Sequence, residues 1–105
     1  MNAIKDLDRL FDNRIRLGIM SALSVNDSVD FNYLKDLLEI TDGNLASNIK
    51  ALEKADYIKV EKIFIGKKPN TRYIITSLGK IALRKHVEAL EKILKELKIF
   101  FISIL

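Results

Sequence analysis

The 105-residue sequence contains no cysteine, no tryptophan, one proline, four glycines and a single histidine. Without cysteine there is no disulfide framework, no thiolate metal site and no thiol chemistry. One histidine without cysteine cannot build a transition-metal site within a chain, so His86 is expected to face solvent. Glycine and proline are too scarce for a disordered segment. The longest apolar run, Ile99 to Ile102 with its neighbours, is far too short to span a bilayer. Met1 to Arg16 carries charges every few residues and lacks the apolar stretch of a secretion signal, so a cytoplasmic location is expected. No glycine-rich phosphate loop, paired catalytic carboxylates or nucleophile–base set appears. Neither enzymatic activity nor a cofactor is expected.

What is present fits one folded domain over residues 1–105, since hydrophobic residues make up 49% and charged residues 30%. The net charge of +4 permits a nucleic-acid partner without establishing one. Ile4, Leu7 and Phe11 recur at helical spacing, which predicts a leading helix over 3–11. Ile15, Ile19, Met20 and Leu23 continue the pattern after Asp12 and Asn13, either of which can cap a first core helix. Gly18 inside that helix costs about 1 kcal/mol relative to alanine, and close helix packing is the expected compensation. Ser24 to Ser28 read as a polar loop.

Asp30 is a good N-cap for a helix whose Phe31, Leu34, Leu37 and Leu38 form one apolar face. After the turn Glu39 to Gly43, Leu45, Ile49 and Leu52 form the buried stripe of a next helix, over about 43–55, capped by Thr41 or Asp42. Its opposite face shows Asn44, Ser47, Lys50 and Lys54, with Asn48 and Ala46 at the flanks. Beyond Tyr57 the pattern alternates, with Ile58, Val60 and Phe64 on one side and Lys59, Glu61 and Ile63 on the other. Pro69 cannot donate to a ladder, which predicts that Gly66 to Asn70 is all turn. Tyr73 and Ile75 resume a strand, and Thr76 caps a helix beginning at Ser77 and running past Leu97.

The architecture expected is mainly α with a small β-hairpin wing: a winged helix-turn-helix core over 12–76 and a long C-terminal dimerisation helix over 77–105. Two helices joined at a short turn, the second with a polar and cationic outer face, suit a DNA major groove. Asn44, Ser47 and Asn48 are the candidate base readers. Lys50, Lys54, Lys67, Lys68, Arg72 and Arg14 are the candidates for the DNA backbone, with the wing at 65–72 reaching flanking phosphates or the minor groove. Charge on an exposed hairpin also blocks edge pairing, and both roles can hold together. Arg16 is either a weaker phosphate contact or one side of an internal salt bridge.

Leu83, Val87, Leu90, Leu94, Leu97, Phe101 and Ile104 follow alternating steps of four and three, the seam of a coiled coil. Ile93 and Phe100 widen it, which suggests a bundle that includes the partner's leading helix through Ile4, Leu7 and Phe11. The competing reading folds this helix back on its own domain, at the cost of a long exposed patch. Glu88, Glu91 and Glu96, with Lys92 and Lys95, form a solvated helix face.

The ordered set Arg16-Leu17-Gly18-Ile19-Met20, Phe31-x-x-Leu34, Thr41-Asp42-Gly43-Asn44-Leu45-x-x-Asn48-Ile49-x-x-Leu52 and Arg72-Tyr73-x-Ile75-Thr76-x-x-Gly79 resembles the stand-alone winged-helix transcriptional regulators of the MarR/ArsR type. The resemblance spans roughly residues 10 to 90. It implies a homodimer acting on transcription at a palindromic, inverted-repeat site in double-stranded DNA. One departure is Asp56, where such sequences usually place glycine; the position is expected to be left-handed, which Asp tolerates better than most residues. A winged-helix module that binds protein instead of DNA is the rival reading. A small-molecule effector could lodge between the leading and C-terminal helices, but no polar group in the sequence defines its site.

Overall fold

The computed structural model describes residues 2–104. Two 3-10 turns, Asn2–Asp6 and Arg9–Phe11, precede α1 (Arg14–Ser24), β1 (Val29–Asp30), α2 (Phe31–Leu38), α3 (Asp42–Lys54), β2 (Ile58–Ile65), β3 (Lys68–Ile75) and α4 (Ser77–Ser103). Each α-helix starts on a side-chain acceptor that takes an otherwise orphaned N–H: Asn13 for α1, Asp30 for α2, Thr41 for α3 and Thr76 for α4. Asn13 rather than Asp12, and Thr41 rather than Asp42, occupy the capping positions.

The leading helix expected over 3–11 is instead these two short turns. Asp8 lies between them, and its Oδ1 accepts from Leu10 N at 2.9 Å, so a side chain replaces the backbone bond a continuous helix would need. The ring of Phe11 is buried at 3% exposure between Tyr57 and His86. Phe11 therefore belongs to its own chain's interior and not to an intersubunit seam. His86 is likewise 4% exposed rather than solvent-facing, and its Nδ1 accepts from Asp8 N at 3.0 Å. The leading segment thus lies along its own α4.

The sheet is antiparallel in the order β1-β3-β2. β1 pairs Val29 with Tyr73 and Asp30 with Arg72. Two residues are too few to show an alternating pattern, which is why this strand is silent in the sequence. The hairpin turn is shorter than expected: only Gly66 and Lys67 lie outside the strands, and Pro69 sits in β3 opposite Phe64. β1 reaches β3 only at Arg72 and Tyr73, so the far side of β3 is open at Pro69 and no neighbouring strand needs its missing N–H there. Gly66 has φ +64 and Lys67 has no positive φ, the combination of a two-residue hairpin turn with glycine first.

The core joins Ile15, Ile19, Met20 and Leu23 of α1 to Leu34, Leu45, Ile49 and Leu52, closed by Val29, Ile58, Tyr73 and Ile75 from the sheet. A Cβ on Gly18 would lie 2.6 Å from Leu38 Cδ2, so glycine there allows the close α1–α2 approach anticipated from its cost. Asp56 has φ 61, the left-handed geometry expected after α3; Glu39, after α2, adopts it too with φ 52. The 27-residue α4 is about 40 Å long and gives the molecule its 61 Å long axis.

Candidate nucleic-acid interface

The turn between α2 and α3 is held from both sides. Glu39 turns left-handed to end α2, and the Lys35 ammonium meets the Asp42 carboxylate at 2.7 Å across the turn. That carboxylate raises the pKa of Lys35 by hydrogen bonding and by its charge. The pair is exposed, so it orients the turn more than it stabilises the fold. Asp42 also places a negative charge in the first turn of α3, where the helix dipole favours it.

Asn44, Ser47, Lys50 and Lys54 are exposed on the outer face of α3. Asn48 is not: it is 6% exposed and engaged on both ends of its amide. Its Oδ1 accepts from Arg16 Nη1 at 2.9 Å, while its Nδ2 donates to Asn44 O at 2.9 Å and Asn44 Oδ1 at 2.8 Å. Arg16 Nε donates in turn to Leu10 O at 2.6 Å. Asn48 is therefore a positioning residue beneath the exposed face, and the expectation that it reads a base edge is corrected. Arg16 is internal, but through hydrogen bonds to a carbonyl and an amide rather than a salt bridge. The Arg16–Asn48 chain ends on Asn44, whose Oδ1 keeps one lone pair and whose Nδ2 stays free on the surface.

On the hairpin, Lys67 and Lys68 are exposed at the tip as expected. Arg72 is taken by the fold: Nε donates to Ser28 Oγ and Nη2 to Ser28 O, both at 3.0 Å, and Nη1 lies 3.8 Å from Asp30 Oδ2. It locks the loop before β1 onto β3 and is corrected from a DNA-backbone candidate to a structural one. Its spacing from Lys67 and Lys68 gave no hint of this, because Ser28 is 44 residues away. Arg14 is exposed in the first turn of α1.

The inner face of the hairpin and the flank of α3 border one open groove, lined by Ala46, Ser47, Ile49, Lys50 and Glu53 from α3 and by Val60 and Tyr73 from the hairpin. Burial raises the pKa of the Tyr73 phenol, aided by the negative charges of Glu53 and Asp30. Along α4, Leu83 packs against the core, and Leu90 and Leu97 are half-buried. Val87, Leu94 and Phe101 are exposed, the last two by 51% and 53%. No cluster of three metal-ligating side chains occurs among the described residues, and no helix among them is long and apolar enough to cross a membrane.

A helix-turn-helix that presents a polar helix beside an exposed basic hairpin, backed by a small sheet and a long terminal helix, defines a winged-helix DNA-binding transcriptional regulator. The chain belongs to the winged helix DNA-binding domain family, whose model matches residues 15–94. It is 29% identical over 90 residues to an uncharacterised protein of Methanocaldococcus jannaschii, covering 86% of this chain and 98% of that protein. The transcriptional regulator homologue of Pyrococcus horikoshii OT3 superposes with a TM-score of 0.84 at 29% identity, over 92% of this chain and 98% of that one. Bacillus subtilis PadR, solved in complex with operator DNA, is similar in fold alone, with a TM-score of 0.63 at 14% identity over 71% of this chain and 47% of that chain.

Proposed function

We propose that the protein acts as a homodimer on an inverted repeat in duplex DNA, with α3 in the major groove and the hairpin on the flanks. The carrying observation is the exposure of Asn44 and Ser47 in the first half of α3, where a helix N-terminus also favours phosphate. Asn44 and Ser47 read base edges. Lys50, Lys54 and Arg14 hold the backbone near the major groove, and Lys67 and Lys68 hold it at the flank. No cofactor or effector enters this reading. PadR, which shares the fold, was solved in complex with operator DNA, and that supports DNA as the partner.

The dimer reading rests on the exposed stripe of α4. Val87, Leu94 and Phe101 flank the half-buried Leu90 and Leu97, and Ile4 is exposed beside the half-buried Leu7 on the leading turn. Full burial of a leucine or phenylalanine contributes about 1.5–3 kcal/mol. The half-exposed side chains of the stripe recover part of that value in each of two copies, which is set against an association cost on the order of 4–15 kcal/mol. Leu83 and Phe11 are already used inside the chain and take no part.

Selection of bound sequences from a random duplex pool tests the reading. An enriched inverted repeat is the expected result. A pool that gains no shared sequence would replace DNA readout with a protein-binding role for the same module.

A further inference from the structure

The register of the hairpin sorts its side chains onto two unlike faces. One face carries the pairs Ile58–Ile75, Val60–Tyr73, Lys62–Thr71 and Phe64–Pro69. It starts in the core, passes the groove it shares with Ser47, Lys50 and Glu53 of α3, and from Val60 to the tip carries no carboxylate of its own. The other face carries Glu61 opposite Arg72, with Lys59 tied to Glu61 at 3.5 Å. Beyond the groove, the face that continues from the flank of α3 carries Lys62, Thr71, Phe64 and Pro69 and no acidic side chain.

Phe64 stands at the end of that face, four residues and about 13 Å beyond Val60. It is 73% exposed, a costly state for an aromatic ring on a projecting hairpin, where exposed apolar groups invite unwanted pairing. Its cross-strand neighbour is Pro69, whose fixed φ stiffens the platform under the ring. Lys62 precedes it on the same face, Lys67 follows in the turn, and Lys68 stands opposite Ile65 on the other face of the tip. A presented ring with a lysine on its own face and two more at the hairpin tip matches a polyanion with apolar steps between its stacked bases, and the charge opposes an apolar protein partner.

We propose that Phe64 is a wedge that enters the minor groove beside the major groove occupied by α3, partly unstacks one base step and kinks the duplex. The lysines anchor the flanking phosphates, and the ring supplies the contact that phosphate binding alone cannot. Such wedges kink DNA by roughly 20–90° and prefer flexible pyrimidine–purine steps, which gives sequence preference outside the bases read by α3. This inference rests on the duplex-binding reading above.

The test uses the full chain and an A·T-rich duplex of about 30 base pairs, far below the persistence length and so straight unless kinked. Donor and acceptor dyes at the two ends report its length at low salt. The parent protein is expected to shorten the end-to-end distance. Phe64→Ala should abolish the shortening and weaken binding about tenfold, with the salt dependence unchanged because no charge is lost. Phe64→Leu, still a wedge, should keep most of the bend. Circular dichroism confirms that each variant is folded. A parent complex with straight DNA, or Phe64→Ala that bends and binds like the parent, overturns the wedge and leaves duplex binding intact. No binding of the duplex by the parent at 50 mM salt overturns both readings. A fall in oligomer mass for Phe64→Ala would assign the ring to a second copy of the chain and also overturn the wedge.

Discussion

Arg16 and Asn48, 32 residues apart, share a hydrogen bond of 2.9 Å that fixes which way the Asn48 amide points. Because the guanidinium can only donate, Asn48 Oδ1 must face it, and Nδ2 must face Asn44. The first core helix thereby sets the orientation of an exposed side chain on the third. The exposed Asn44 and its buried support Asn48 are separate residues four positions apart.

Asn48→Ala is expected to lower stability by about 1–3 kcal/mol, since it leaves a partly buried guanidinium edge without its acceptor. It should also weaken discrimination at the base pair facing Asn44. Asn48→Asp restores an acceptor for Arg16 but sets a carboxylate against the two Asn44 oxygens, so stability should recover while discrimination stays weak. Thermal unfolding and binding to single-substituted duplexes measure the two effects. Parent-like base preference in Asn48→Asp would show that the chain from Arg16 does not position Asn44.

Salt separates the two kinds of cation on the hairpin. If a dimer neutralises on the order of 6–10 phosphates, affinity should fall roughly 10³-fold or more between 50 and 200 mM salt. Replacing Lys67 and Lys68 with alanine should flatten that dependence and weaken all sequences alike. Arg72→Ala should instead lower the melting temperature, because it frees Ser28 and Asp30 from β3, and should leave the salt slope as it was. Equal salt slopes in all three proteins would remove the hairpin lysines from the interface.

Leu94→Asp places an unpaired charge in the exposed seam of α4 and should dissociate the dimer without unfolding the protomer. Light scattering on parent and variant reads this directly, and a monomeric parent at micromolar concentration would refute the seam. With the two-fold intact, half-site centres should lie about 10 base pairs, roughly 34 Å, apart. Inserting about five base pairs between half-sites should then abolish tight binding by turning one half to the opposite side of the duplex.

The Tyr57 hydroxyl donates to Asp8 Oδ2 at 2.6 Å, and burial together with this carboxylate raises the phenol pKa to about 12. Its unfolded value is lower, 10.0, so the neutral phenol favours the folded state. The stabilisation is fully present below pH 10 and is lost as pH rises from about 10 to about 12. Tyr57→Phe should be less stable than the parent at neutral pH, and the gap should close across that interval. Unfolding midpoints measured from pH 8 to pH 12 test it; a gap that widened with pH would have the wrong sign.

Much of this molecule is decided locally. The caps Asp30, Thr41 and Thr76, the buried stripe Leu45, Ile49 and Leu52, and the left-handed Asp56 follow from residue chemistry and spacing of the order of one helical turn. The exposed apolar stripe of α4 through Val87, Leu94 and Phe101 is legible for the same reason, since its period is local. Long-range polar contacts leave no such period. The burial of Asn48 under Arg16, the capture of Arg72 by Ser28 and Asp30, and the hold of the leading segment's Asp8 on His86 join residues 32, 44 and 78 positions apart. A polar side chain on a helix flank looks the same in sequence whether water or a buried guanidinium meets it. The sequence by itself therefore determined the winged-helix framework and the outward stripe of α3. Only the tertiary structure decided which polar residues on that framework are free for DNA, because hydrogen-bond partners are chosen by three-dimensional proximity and desolvation, not by spacing along the chain.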